Sequence, residues 1–434
     1  MNSRLGTILL GAAVLIALVV AAYSVAQLSA LSAKISALEA SVSDLRSAVL
    51  GRLDNLSSSA ARLGERVSSL ERGVAEVRNA TSLLQRAVAS SWDLPVRYAR
   101  LFSVRYDGGF YYLRDALGRG VLLVPRGAPG DLVKFYVGKY RPDVVVRYPV
   151  ERAVFMSSTQ VALAYRLYKD GGGADVLRRI AGIMWGREYG WHLPEVAALL
   201  ENGTIKDVGP AYSPNYEALA SLRPDVVFVY FYPGPYGTEA VLQRLSQLGV
   251  PYVVVNEFQE QSPLGRAEWI KFVAPFFNKT DLAVQIFDSV EAKWSQLTAL
   301  VADLDRPRVA WFMIYGGVLY PAGAGARELI RLAGGRYAYA NYSRVDMEVV
   351  WRHKNDVDVL IWSGYGVSKA EDLAKVDKRL AELRPVLAGR AYAYSEAFYQ
   401  LSNAYPERVL EELVWIIHPE VAPPGNYTLF VHLT

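Results

Sequence analysis

The chain has 434 residues, of which 52% are hydrophobic and 21% are charged. This length and composition predict two or three folded domains and exclude a wholly disordered protein. The formal net charge is only +4 and no tract rich in Lys and Arg stands out, so a nucleic-acid partner is not expected. The sequence has no cysteine, which excludes disulfides, thiol catalysis, Cys-ligated zinc and a lipid on an N-terminal cysteine.

An uncharged apolar stretch of 22 residues, Leu5–Ala26, follows Arg4. At about 1.5 Å per residue such a helix can cross a hydrocarbon core of about 30 Å. We predict a transmembrane anchor over residues 1–27 in a single-pass protein of the cell membrane, with the rest of the chain on the extracellular side. The alternative is a cleaved signal peptide, because Ser24-Val25-Ala26 offers small residues at a suitable place.

Sequons for N-glycosylation support an exterior location. Six of the 11 asparagines stand in N-x-S/T sequences, and all six follow the apolar stretch. A sequon permits glycosylation without proving it. The six candidate sites are Asn55, Asn79, Asn202, Asn278, Asn341 and Asn426.

Residues 28–91 repeat apolar side chains at alternating steps of three and four, which is typical of a coiled coil. One step is missing between Val49 and Leu53, beside Gly51, and this stutter predicts local unwinding. β-Branched residues at position a with leucine at position d favour a parallel two-stranded coil, and hence a homodimer on a stalk about 90 Å long. The alternative is an amphipathic helix packed on its own globular domain. Position a holds Ile35, Val42, Val49, Val67 and Val74, and position d holds Leu31, Leu38, Leu45, Leu56, Leu63 and Leu70.

Residues 92–149 show short β-strand signals and predict a β-rich lead-in to the next domain. The predicted strands are Phe102–Tyr106, Phe110–Arg114 and Val121–Pro125, with a turn at Asp107-Gly108-Gly109.

Beyond residue 150, strand-like runs alternate with helical ones, which favours parallel βαβ units. A long helical stretch over 265–303 separates the third run from the fourth, and it suits two lobes bridged by a rigid helix with a ligand cleft between them. The sequence therefore predicts an α/β fold with two Rossmann-like lobes: lobe one over 150–263, the bridging helix over 264–304, lobe two over 305–420 and a tail over 421–434. The predicted strands are Ala153–Met156, Val226–Tyr230, Tyr252–Val255, Val309–Ile314, Val357–Trp362 and Ala391–Tyr394.

Five segments resemble pieces of a known family, the helix-bridged periplasmic binding proteins for ferric siderophores, haem and cobalamin. The first segment is similar to the first strand and loop of lobe one, and the second to its signature loop with the following helix and strand. The third is similar to the start of the bridging helix. The fourth and fifth are similar to the first loop and the first helix of lobe two. The resemblance is spread over 98–420, about three quarters of the chain. The anchor and coiled coil are departures, because such relatives are usually free or lipid-anchored. The segments are Val150–Thr159, Val208–Glu217 with Leu222–Val227, Ser262–Trp269, Tyr320–Gly323 and Glu328–Gly335.

The resemblance implies capture of an iron chelate, haem, cobalamin or another organic metal complex for an ABC importer. Such a ligand needs aromatic walls and a few arginines or hydroxyls. The family places these residues on loops at the carboxyl ends of strands. The matching positions are Ser157, Ser158, Arg187, Tyr212 and Ser213 in lobe one, and Tyr315, Tyr320, Trp362, Tyr365 and Tyr399 in lobe two.

Relatives also carry one exposed carboxylate in each lobe that docks on arginines of the permease. Glu217 fits the first of these positions, and Glu348 fits the second with Asp346 as a rival. No catalytic motif or His-containing triad is present, and the four dispersed histidines do not have metal-site spacing, so neither an enzyme nor a protein-held metal or cofactor is expected. The alternative function is a surface adhesion, scaffold or sensor protein that reuses the binding fold.

Overall fold

The computed structural model describes residues 20, 25, 27–42, 44, 66–71, 73–74, 91–186, 189–234, 237–421 and 425–434. The chain divides into two compact units, Met1–Asn79 and Ala80–Thr434, and each is described by itself. Within the described ranges no helix is both long and apolar enough to span a bilayer. The anchor predicted over 1–27 lies almost wholly outside those ranges and stays a prediction.

The first unit contains helical residues 27–42 and 66–71. One straight helix through both segments would separate Val42 from Val67 by about 37 Å. Both residues line the same groove of about 430 Å³, so the two segments lie side by side, and the prediction of one continuous 90 Å stalk is wrong. The groove is lined by Ile35, Leu38, Glu39, Val42, Val67, Leu70, Glu71 and Val74.

The second unit opens with a five-stranded sheet in the order β1-β2-β3-β4-β5. The first four strands are antiparallel and the last pair is parallel. The three strands predicted here lie at β2, β3 and β4, each within one residue of its predicted bounds, whereas β5 and helix α1 were missed. The elements are β1 (Ser91–Asp93), β2 (Ser103–Asp107), β3 (Phe110–Arg114), β4 (Gly120–Pro125), α1 (Gly130–Tyr140) and β5 (Val144–Tyr148).

Lobe one is a parallel five-stranded sheet in the order β10-β9-β6-β7-β8. Its three central strands consist almost entirely of buried apolar residues, as expected for a parallel sheet covered on both faces. The elements are β6 (Ala153–Phe155), α2 (Ser158–Lys169), β7 (Ile180–Ile183), α3 (Pro194–Glu201), β8 (Lys206–Asp207), α4 (Tyr216–Ser221), β9 (Val226–Val229), α5 (Glu239–Gln247) and β10 (Tyr252–Val254).

The bridge is interrupted, which corrects the prediction of one helix over 265–303. Pro275 lies in a 3₁₀ turn, and Asn278 ends that turn in the left-handed conformation with φ 58°. Both features stop an α-helix, because proline lacks an N–H group and a left-handed residue reverses the chain. The bridging elements are α6 (Pro263–Glu268), α7 (Ile270–Val273), the 3₁₀ turn Ala274–Phe277 and the 21-residue α8 (Thr280–Leu300).

Lobe two is a mixed sheet in the order β12-β11-β14-β15-β16, with β13 also pairing with β11. Strands β11, β14 and β15 are parallel, whereas β12 and β16 run antiparallel to their neighbours. The elements are β11 (Arg308–Tyr315), β12 (Val318–Pro321), α9 (Ala324–Leu332), β13 (Arg336–Tyr337), α10 (Met347–Arg352), β14 (Val359–Trp362), α11 (Ala370–Val376), α12 (Arg384–Leu387), β15 (Ala391–Tyr394), α13 (Glu396–Leu401), α14 (Pro406–Ile417) and β16 (Phe430–His432).

Three buried glutamates fix connecting segments by accepting several backbone N–H groups. Glu268 accepts from the N–H groups of residues 97–99, and Glu260 accepts from those of residues 100–101. In lobe two, Glu412 accepts from those of residues 428–430. Because an unpaired buried carboxylate is costly, each of these segments is held in one position.

Glu268 also forms a buried ion pair with Lys271 at 2.8 Å. Although burial alone would raise it, the pKa of Glu268 lies below its ordinary value, because Lys271 and three backbone N–H groups stabilise the charged form. A depressed folded-state pKa adds stability at neutral pH that is lost as the pH falls through that pKa.

We therefore expect Glu268→Gln to lower the free energy of unfolding by about 3 kcal/mol at pH 7, with a smaller deficit at pH 3. Urea denaturation at both pH values measures the difference. Glu328→Gln is the matched control, since Glu328 forms an exposed pair with Arg331 at the same i,i+3 spacing and should change stability by about 0.5 kcal/mol or less. Equal losses for the two variants would contradict this role of Glu268.

Candidate functional site

Two serines lie where β6 ends in lobe one. Ser157 is half-buried and is the N-cap residue of α2. Ser158 is buried, and its hydroxyl lies 3.4 Å from the phenol oxygen of Tyr189. Both predicted serines therefore lie at the carboxyl end of the central strand, where ligands bind in open parallel sheets.

Two pairs of aromatic side chains lie on the segments that follow neighbouring strands of lobe one, and together they are called the aromatic wall of lobe one. Trp185, which follows β7, packs edge-on against Tyr212 with ring centroids 5.9 Å apart. Tyr230, which follows β9, packs edge-on against Phe258 at 6.2 Å. Tyr212 was predicted, whereas Trp185, Tyr230 and Phe258 were not. The predicted Ser213 is exposed beside Tyr212.

In lobe two the predicted Tyr365 and Tyr399 stack with ring centroids 4.5 Å apart. Tyr399 donates a hydrogen bond to the carbonyl oxygen of Ser363, which follows β14. Burial raises the pKa of both phenols, and nearby tyrosines, including Tyr189 of lobe one, raise it further. Tyr189 therefore lies near the Tyr365–Tyr399 pair across the lobe boundary. The raised pKa keeps Tyr365 and Tyr399 protonated at neutral pH, and since Tyr399 already donates to Ser363, the exposed Tyr365 hydroxyl is the one that can donate to a ligand.

The other two predicted tyrosines lie on the β11–β12 hairpin. Tyr315 pairs with Val318, and Tyr320 pairs with Met313. Paired and alternate residues share one face of a hairpin, so Tyr315 and Tyr320 face the same way, and they are 75% and 46% exposed. Within the described residues no ring contact joins them to the Tyr365–Tyr399 pair.

Two predicted ligand residues are not part of this arrangement. Trp362 is only 1% exposed and packs edge-on against Phe312 in the lobe-two core, so its prediction as a wall residue is wrong. The reason is that all four residues of β14 are buried between two layers of helices. Arg187 lies outside the described residues, and its role stays a prediction.

Polar contacts join lobe one directly to the corner between α13 and α14. The guanidinium of Arg166 on α2 pairs with Glu407 at 2.6 Å and donates to the carbonyl oxygen of Ala404. Gln400 donates to the Gly190 carbonyl oxygen at 2.5 Å and accepts from the N–H group of residue 192 at 2.9 Å. This corner of lobe two is therefore fixed to lobe one.

A buried carboxyl lies at the same boundary. Glu257 follows β10 and is 1% exposed. It accepts a hydrogen bond from the hydroxyl of Thr159 and lies close to the Asn403 side chain of lobe two. Burial raises the pKa of Glu257, while Thr159, its own N–H group, Asn403 and the nearby Arg266 oppose that rise.

The two lobes repeat one local arrangement around Glu217 and Glu348. Each glutamate is exposed, lies in the first turn of a six-residue helix and comes two residues after the N-cap, which is Asn215 in lobe one and Asp346 in lobe two. Each cap side chain accepts from the N–H group three residues on. Glu217 and Glu348 therefore occupy equivalent positions in the two lobes, and Asp346 is equivalent to the helix-capping Asn215.

Sequence reasoning missed Tyr189, Trp185 and Glu257. Trp185 and Tyr189 follow β7, a four-residue strand that includes Gly182 and so gave a weak β signal. A charge two residues after the apolar run Val253–Val255 was a usable signal for Glu257. Across the described ranges no group of three or more His, Cys, Asp or Glu side chains could hold a metal.

The family comparison agrees with this geometry. Residues 186–391 match the family described as Periplasmic binding protein. An uncharacterized lipoprotein of Methanocaldococcus jannaschii is 30% identical over 295 residues, which are 66% of this chain and 69% of that protein. A second uncharacterized lipoprotein of the same organism is 27% identical over 75% of this chain and 83% of its own length.

Solved structures are also similar to this chain, at low sequence identity. A possible iron-binding (periplasmic solute-binding) protein from Staphylococcus epidermidis is 17% identical, with a TM-score of 0.49, over 62% of this chain and 99% of that one. Members of the matched family bind solutes and do not catalyse reactions, so this protein is a binding protein rather than an enzyme. The chain belongs to the periplasmic binding protein family.

Proposed function

We propose that the protein captures a metal chelate, such as a ferric siderophore, haem, cobalamin or a similar organic complex, between its lobes and delivers it to an ABC importer. The observation that carries this proposal is the stacked Tyr365–Tyr399 pair of lobe two, which lies near Tyr189 of lobe one. Protonated phenols and ring faces suit a large ligand that is flat in parts. Neighbouring structures support the ligand class, since they include a periplasmic haem-binding protein of Vibrio cholerae and a siderophore-binding protein bound to ferric acinetobactin.

The permease would dock on Glu217 and Glu348. Both are exposed and occupy corresponding helix N-termini, one in each lobe. Glu348 lies 3.3 Å from Arg352 in a pair that is exposed on both sides, so little free energy is needed to exchange this partner for an arginine of the permease. Asp346 is committed to capping α10, which favours Glu348 as the second docking residue.

The N-terminal unit would tether and pair the heads. The relatives are named lipoproteins, but this sequence has no cysteine to carry a lipid, and the apolar stretch Leu5–Ala26 would replace that anchor in a single-pass protein with its head outside. Leu31, Leu38, Val67 and Val74 are exposed in the single chain, and a second copy would cover them. Asn202, Asn278, Asn341 and Asn426 are exposed, which supports glycosylation outside the cell, whereas Asn55 and Asn79 lie outside the described residues.

Tryptophan fluorescence of the chain titrated with ferric siderophores, haem and cobalamin tests ligand capture. We expect one compound to quench at micromolar concentration or below, because Trp185 lies in the wall. Tyr212→Ala and Tyr365→Ala, one from each lobe, should each weaken binding about three- to tenfold. Phe135→Ala, an exposed aromatic on α1, is the control and should bind as the wild type does. Loss of affinity in the control alone would refute the proposed site.

Uptake of the labelled chelate by the native host tests the docking residues. Charge reversal at Glu217 or Glu348 to Arg should lower uptake at least about tenfold, because like charges repel across the interface, while ligand affinity stays unchanged. Glu371→Arg is the control, since Glu371 is also exposed in the first turn of a lobe-two helix. Normal uptake by both reversed variants would exclude this docking mode.

A further inference from the structure

A chain of side-chain hydrogen bonds runs from the end of β6 to lobe two. The Ser157 hydroxyl lies 2.8 Å from that of Thr159, and Thr159 donates to Oε1 of Glu257. Glu257 also lies close to the side chain of Asn403 in lobe two. The half-buried Ser157 is thus connected through Thr159 to a fully buried carboxyl that contacts both lobes.

The charge on Glu257 decides the direction of every bond in this chain. An ionised carboxylate only accepts, so Thr159 must donate to it. Having used its one proton, the Thr159 hydroxyl can only accept from Ser157. Ser157 has then used its proton as well, and it presents only acceptor lone pairs to a ligand.

Protonation of Glu257 permits the reverse direction. A proton on Oε1 is donated to Thr159, which donates to Ser157, and Ser157 then donates its own proton to the ligand. No bond other than O–H bonds changes, and the added proton comes from solvent. One buried carboxyl can therefore turn Ser157 from a hydrogen-bond acceptor into a donor.

We propose that Glu257 is a positioning residue that sets the hydrogen-bond polarity of Ser157, so that the cleft selects a donor group of the ligand when Glu257 is ionised and an acceptor group when it is protonated. This inference rests on the proposed ligand cleft. It identifies the ligand chemistry at this point as an N–H or O–H group at a pH where Glu257 is ionised.

The surroundings of Glu257 leave room for this exchange. Its Oε2 atom has no hydrogen-bond partner within the described residues, although it is buried. Among the described residues, the groups that act on Glu257 include the Thr159 hydroxyl, its own N–H group, the Asn403 side chain and the charge of Arg266. Arg266 in turn faces Tyr394 and Glu260. Burial raises the pKa of Glu257, which moves its titration toward neutral pH.

Linkage gives the sign of the expected effect. A ligand that donates to Ser157 binds the ionised form better, so its affinity should fall as the pH drops through the pKa of Glu257. The fall should be about tenfold for each unit by which the ligand lowers that pKa. A ligand that accepts from Ser157 should show the opposite dependence.

Infrared spectroscopy of the full chain labelled with ¹³C-glutamate, recorded from pH 4 to pH 9, tests the chain without a ligand. We expect a carboxyl band that titrates above the ordinary glutamate range and is absent in Glu257→Gln. Thr159→Val removes a donor to the ionised form, so it should move this band to higher pH. A band that survives Glu257→Gln, or that Thr159→Val leaves unmoved, would overturn the proposal.

The same variants are then titrated with ferric siderophores, haem and cobalamin across that pH range. The wild-type affinity for the quenching compound should change about tenfold across this pH range, with its midpoint at the pH where the infrared band titrates. In both variants the affinity should not depend on pH. A pH profile that persists in Thr159→Val would overturn the proposal. If no compound quenches, the proposed function fails, and the infrared shift alone still decides whether Glu257 controls the hydroxyl chain.

Discussion

The bridging segment from Pro263 to Leu300, with its buried apolar face, is the constraint on which the other parts depend. Trp269 and Phe272 pack against Phe102 of the first sheet, and Phe276 packs against Phe228 of lobe one. Helix α8 packs along α14 of lobe two. One continuous apolar core therefore includes residues of all three sheets and of the bridge. Burial of this segment stabilises every sheet at once, and none can shift far without exposing it.

This shared core explains how two lobes can form one precise cleft. The bridge fixes the lobes on one side, and the contacts of Arg166 and Gln400 fix the corner between α13 and α14 on another. Closure on a ligand is therefore restricted to small loop and side-chain movements rather than a wide hinge. The aromatic pairs Trp185–Tyr212 and Tyr365–Tyr399 are already packed in the chain without a ligand, and side chains ordered in advance lower the entropy lost on binding.

Much of the second unit could be predicted because its signals are local. Runs of β-branched and aromatic residues gave the strands β6, β9, β10, β11, β14 and β15. The interruption of the bridge was readable in Pro275 and was overlooked in favour of helical periodicity. Tyr212, Tyr365 and Tyr399 were predicted from the family resemblance and stay predictions as ligand-binding residues, whereas Trp362 is the last residue of β14 and is buried. The link between Thr159 and Glu257 joins residues 98 positions apart, and no local pattern reports such a contact.

The central claim is that both lobes contact one ligand. Hydrogen–deuterium exchange of the full chain, with and without a saturating chelate that quenches its fluorescence, measures this most directly. The account predicts that amides of 157–160 in lobe one and of 363–366 in lobe two become protected together. Protection of only one lobe, or of the first sheet over 103–140 instead, would contradict it.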